Sequence, residues 1–174
     1  MSLSALSRTK VKTPSGKKEI RLRESVSIRR PADELYAFWR DLANLPRIMS
    51  HLKEVRVTGP STSHWIAKAP GGREVSWDAR LVEDSDGRWL AWKSEPGADV
   101  ENAGVVAFNP GETVHETIVT VDLSYVPPAG VLGEFIAKLF GEEPGQQISE
   151  DLARFRFFME DSPSGTSPGK GLAQ

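Results

Sequence analysis

Between residues 52 and 125 the chain is punctuated at close intervals by turn signals: Gly59-Pro60, Gly71-Gly72, Asp86-Gly87, Pro96-Gly97 and Pro110-Gly111. The runs between them are short and strand-like, near 52 to 58, 63 to 69, 73 to 83, 88 to 94, 103 to 109 and 114 to 125. A parallel crossover needs about a dozen residues, so neighbours this close can pair only antiparallel. Asp86-Gly87 suits a two-residue hairpin turn, in which both central residues take positive φ. The spacing predicts an antiparallel meander.

Upstream, Ile20, Leu22, Val26 and Ile28 fall on even positions, the period of a half-buried strand over 19 to 30. Pro31 then stands where a first helical residue would be, and Asp33 and Glu34 put negative charge at the positive end of a helix dipole. Leu35, Phe38, Trp39 and Leu42 follow at helical spacing until Asn44-Leu45-Pro46 stops them, and a brief apolar pair, Ile48 and Met49, comes after. At the other end Pro127-Pro128 closes the meander. Val131, Leu132, Phe135, Ile136, Leu139 and Phe140 form a helical stripe that is interrupted at Gly141 to Gly145 and resumes at Ile148, Leu152, Phe155 and Met159. Pro144 lacks an N–H and clashes with the preceding turn, so two collinear segments are predicted, about 129–140 and 143–160, with Glu150 and Arg154 paired on the wet face.

Alternation assigns one face of the sheet to Val55 and Val57; Trp65, Ala67 and Ala69; Val75, Trp77, Ala79 and Leu81; Leu90 and Trp92; Val106 and Phe108; and Val119, Val121, Leu123 and Tyr125. Glu74, Asp78, Arg80, Lys93, Glu116 and Asp122 take the other face. The long C-terminal helix is the one element with a stripe able to cover the apolar side. A helix is about 10 Å across, and seven strands about 4.8 Å apart are about three times wider, so the sheet must curl around it. Curling leaves a space where Trp65, Trp77, Trp92, Phe108 and Tyr125 face Phe135, Ile136 and Leu139 across small Ala67, Ala69 and Ala79. Leu45 and Met49 would form its rim. An ordinary core also contains such rings, each contributing about 1.5 to 3 kcal/mol by burial, so pocket and core both remain open readings.

The 174 residues, 39% hydrophobic and 26% charged, suit one domain with a sizeable core. With no cysteine there is no disulfide, thiolate metal site or thiol nucleophile. No run reaches the about 18 apolar residues of a membrane span, and the N-terminus lacks a signal-peptide core, which points to a cytoplasmic protein. Residues 1 to 30 hold nine Lys or Arg against two acids, and the remainder thirteen against twenty-two. Residues 1–18 therefore read as a disordered basic arm, 19–160 as the folded domain and 161–174 as a disordered tail. The arm's charge could bring it weakly to an anionic membrane surface; without aromatics to stack on bases, no specific nucleic acid is expected.

The segments "VSIRRPADELYAFWRDLANLPRIMSHL", "EVSWDARLVEDSDGRWLAWKSEPG", "NAGVVAF" and "LFGEEPGQQISEDLARF" resemble the START-like superfamily, in particular polyketide cyclase/dehydrase-type and coenzyme-Q-binding proteins, over about residues 20 to 160. The resemblance implies an α+β helix-grip fold, a curved antiparallel sheet of about seven strands around a long C-terminal helix with two short helices after the first strand. It also implies a cavity for lipids, quinones or polyketides, in a fold that hosts carriers and enzymes alike. No acid, His or Arg set can be carried over as catalytic. The three histidines, His51, His64 and His115, lack metal-type partners at i+3 or i+4 except Glu54 for His51, and strand-like sequence puts that pair on opposite faces, so neither a metal nor another cofactor is expected. Ser94, Asn102 and Tyr125 are the polar candidates on the inner face. The leading expectation is a carrier or sensor of a hydrophobic small molecule. The alternatives are a cyclase or dehydratase, and an interaction module using the arm.

Overall fold

Every strand pair is antiparallel in the computed structural model, which describes residues 7–12, 18–126 and 144–162. The strands are β1 (Ser7–Lys12), β2 (Lys18–Ile28), β3 (Leu52–Val57), β4 (Thr62–Lys68), β5 (Glu74–Ser85), β6 (Trp89–Ser94), β7 (Glu101–Pro110) and β8 (Thr117–Val126), joined in the order β1-β2-β8-β7-β6-β5-β4-β3. β2 to β8 are the seven expected strands. They form the curved sheet of a helix-grip α+β fold that packs on the C-terminal helix α2 (Pro144–Asp161).

β1 departs from the expected disordered arm. It pairs with β2 from Ser7 opposite Arg23 to Lys12 opposite Lys18. A sequence too polar to bury a core can still add its main chain to an open strand edge, because ladder hydrogen bonds need no apolar side chains. The hairpin at Asp86-Gly87 also differs in detail. Gly87 alone takes positive φ, the Arg88 N–H donates to the Ser85 carbonyl at 2.9 Å, and Ser85 pairs with Trp89, so the loop has a third residue.

The path from β2 to β3 must cross the whole sheet, since β3 lies at the far edge. Helix α1 (Ala32–Arg40) and a 3-10 helix (Leu42–Arg47) make that crossing, burying Leu35, Tyr36, Trp39, Leu42 and Leu45. Asp84 on β5 holds α1 in place: it accepts a hydrogen bond from the Tyr36 hydroxyl and one from Arg40 Nε at 2.7 Å. Burial, reinforced by that bond to Asp84, pushes the Tyr36 phenol up to about 12.

Helix α2 begins at Pro144, where a missing N–H costs nothing in the first turn. Its far end is tied to the end of β2: Arg30 Nε donates to the Met159 carbonyl at 2.9 Å, and the Arg29 N–H to Glu160 Oε1 at 3.0 Å. Arg30 thereby serves one of the carbonyls a helix C-terminus leaves without partners. Phe155, fully buried, meets Trp39 edge-on with ring centroids 5.3 Å apart. The expected first helical segment, 129–140, with Phe135, Ile136 and Leu139, lies outside the described residues.

The predicted inner face is buried or half-buried with one exception, Val57, which is 55% exposed at the last residue of an edge strand flanked on one side only. The expected Glu150–Arg154 pair does not form. Gln146 reaches Glu150 at 3.1 Å, while Arg154 pairs with Asp151 instead.

Candidate ligand site

Curling the sheet around α2 leaves an interior cavity of about 70 Å³. Trp65 from β4, Trp92 from β6, and Val121 and Leu123 from β8 form one wall. Ile148 and Leu152 of α2 stand opposite, with Trp39, Leu45 and Met49 on the side of the crossing segment. The Trp65 indole N–H is satisfied by Ser63 Oγ at 2.8 Å, and its ring stacks on Trp77 at 6.0 Å, so an apolar face is presented inward.

Trp92 owes its position to Gly104, its partner across β6 and β7. A Cβ at residue 104 would lie 2.3 Å from Trp92 Cζ2 and 2.6 Å from Cη2. Since carbon atoms settle at about 3.5 to 4.0 Å, only glycine lets the indole lie against the strand.

One end of the cavity is polar. His51, Gln147 and Asp151 reach it, and Asp151 is 4% exposed. Asp151 Oδ1 accepts from Gln147 Nε2 at 2.9 Å and from Arg154 Nη2 at 2.7 Å, while Oδ2 stands 3.6 Å from His51 Nδ1. Arg154 is held in turn by the Ile48 carbonyl at 3.0 Å and Ser50 Oγ at 3.3 Å, so the loop after the 3-10 helix is locked to α2. Burial, and secondarily the Arg154 charge, lowers the His51 imidazole to about 4. Burial raises the Asp151 carboxyl to about 6, against the hydrogen bonds of Arg154 and Gln147, which favour its ionised form. At neutral pH an anionic acceptor therefore faces a neutral imidazole.

Of the residues expected at a pocket, Trp65, Trp92, Leu45 and Met49 line this cavity. Trp77 supports it from behind, through Trp65. Phe108 packs into the core against Tyr36 and Trp39, with centroids 6.1 and 6.5 Å away. Tyr125 lies with Asn102 along a broader hollow of about 570 Å³ at the β6–β7 end of the sheet, among the charged side chains of Arg80, Lys93, Glu95 and Glu101. The third polar candidate, Ser94, accepts the Asn102 N–H at 3.0 Å.

His51, Gln147 and Asp151 were missed as cavity residues, although Asp151 had a signal. It falls three residues after Ile148 and four before Phe155, within the apolar stripe of α2. Glu24 had the same kind of signal: it occupies an even position in β2, opposite Val121, and is 4% exposed.

A curved antiparallel sheet gripping a C-terminal helix is the START-like, helix-grip class of fold. Residues 28–153 match the family described as polyketide cyclase/dehydrase and lipid transport, and the chain belongs to it. It is similar to a solved structure from Deinococcus radiodurans at 40% identity, covering 80% of this chain and 97% of that one with a TM-score of 0.66. Two more distant likenesses, each at 14% identity, share the fold. One is the Zhui aromatase/cyclase of a Streptomyces species (TM-score 0.65, covering 82% of this chain and 94% of that one). The other is a START superfamily protein of Mycobacterium smegmatis (TM-score 0.62, covering 80% and 98%). No curated protein matches in sequence. No helix among the described residues is long and apolar enough to cross a membrane.

Proposed function

We propose that the chain binds a hydrophobic small molecule, of lipid, quinone or polyketide type, between the sheet and α2. The observation that carries this is the cavity itself: apolar walls from Trp39, Trp65, Trp92 and Leu152 with a single polar end. Sites for apolar ligands combine such walls with a few placed polar groups. At about 70 Å³ the space is well below the about 300–1,000 Å³ of drug-sized ligand sites. Binding therefore widens it, and the half-buried side chains of Met49 and Trp92 are the ones that give way. The family's lipid-transport members support the same reading. Native mass spectrometry of protein purified from its own host tests it. A co-purified hydrophobic molecule is expected; apo protein, together with no melting shift from a panel of fatty acids, quinones and phenols, would overturn it.

A second reading, a cyclase or dehydratase, is favoured by the His51–Asp151 pair. Two titratable groups buried in a cavity, with values shifted in opposite directions, can exchange a proton with a bound carbonyl compound. Turnover of a poly-β-keto probe that is lost in His51→Gln while binding survives would establish this reading. Binding without turnover would leave the carrier.

A further inference from the structure

We propose that the polar end of the cavity reads a hydroxyl group, so that the ligand is a hydrophobic alcohol or phenol and not a fatty carboxylate. This rests on the binding reading above and narrows its ligand class. Asp151 lines the cavity; its Oδ1 is taken by Arg154 and Gln147, whereas Oδ2 accepts no hydrogen bond among the described residues. The 3.6 Å between Oδ2 and His51 Nδ1 is too long for a direct hydrogen bond, and both residues line the same cavity. A ligand O–H placed there donates to Oδ2, a charge-assisted bond, and its oxygen can accept from an imidazole N–H.

Other head groups fit worse. A carboxylate would set its charge against Asp151, with Glu150 adding to the repulsion and with the Arg154 guanidinium already committed to Asp151, Ile48 and Ser50. An acceptor-only group, such as a quinone carbonyl, offers Oδ2 no donor. The same site would distinguish a quinol from its quinone.

The test uses the full chain with probes of equal length: 1-octanol, octanoate and octane, plus 4-propylphenol. Saturable quenching of tryptophan fluorescence at pH 7.5 gives the affinities. Octanol and propylphenol are expected to bind at least about tenfold more tightly than octanoate, since hydrogen bonds to charged groups are worth that much or more. Asp151→Asn, whose amide can also donate, should compress the alcohol-to-carboxylate ratio toward unity. Octanoate binding as tightly as octanol in the wild type overturns the proposal while leaving the carrier reading intact. An undiminished ratio in a folded Asp151→Asn protein also overturns it. If no probe binds, octane included, the binding reading falls and this proposal falls with it. The wild-type comparison decides even where Asp151→Asn does not fold.

Discussion

Replacing Gly104 by alanine tests whether the space beside Trp92 exists. The new methyl would stand 2.3, 2.6 and 2.8 Å from three indole atoms, so the ring must retreat by about 1 Å or more to reach an ordinary contact. Two terms oppose. Adding a methyl to a filled core costs about 1–3 kcal/mol through strain, whereas removing a glycine from a strand recovers about 0.5–1 kcal/mol of chain entropy. Trp92 is half-buried and borders the about 70 Å³ void, so it has somewhere to go. The net loss should therefore be about 0–2 kcal/mol, a fall in melting temperature of no more than about 8 °C for a chain of this size. The displaced indole occupies the cavity, so the affinity for octanol or propylphenol should fall more than stability does. Thermal unfolding monitored by circular dichroism, with fluorescence titration on the same protein, separates the two effects. A loss of more than about 4 kcal/mol would mean that Trp92 is packed on every side. An unchanged affinity would mean that the ligand does not sit against this ring.

Three further outcomes follow from the geometry. Burial holds His51 near 4 where a free imidazole titrates at 6.5, so its contribution to stability is complete above 6.5 and is lost as pH falls toward 4; Asp151, near 6 against 3.8, contributes fully below 3.8 and loses that as pH rises through 6. The slopes offset between pH 4 and 6, so Asp151→Asn should lose stability relative to wild type on acidification across that window, by about 1 kcal/mol per pH unit, in urea melts; a constant difference would refute the assignment. Tyr36→Phe leaves Asp84 with Arg40 alone and should cost about 1–2 kcal/mol in the same melts, while a neutral result would show that the phenol bond does not anchor α1. Removing residues 1–12 should raise hydrogen exchange at the β2 amides that face β1, between Lys18 and Arg23, and leave those of β5 unchanged; unaltered β2 exchange would mean the pairing is not stable in solution.

The meander was legible because its evidence is local: turn residues a few positions apart and side chains alternating along each strand. The inner face could be read off residue by residue for the same reason, and it failed at Val57, where exposure is set by position in the sheet order and not by period. Trp65 and Trp92 could be placed on one face, but not sorted from Phe108 and Tyr125, because which inward ring meets α1 and which meets a void depends on the crossing segment's path over the sheet. β1 was illegible from composition because a strand recruited through its main chain leaves little mark on its side chains. His51 and Asp151 lie about a hundred residues apart, and no local pattern joins them.

What the sequence did contain was the anomaly that marks the polar end. A charged residue in the apolar period of an element must be neutralised, hydrogen-bonded or unfavourable, because burying a lone charge costs several kcal/mol or more. Asp151 in α2 meets that requirement with Arg154 and Gln147 on one oxygen. Two apolar residues at the positions of Asp151 and Arg154 would hold the helix in the grip at no such cost. Asp151 also helps Arg154 lock the loop after the 3-10 helix to α2, but that role uses Oδ1 alone; recognition of a ligand's O–H would employ Oδ2. The polar end is thus the part of the site where the demands of the fold and of binding diverge, and the probe series acts on that difference.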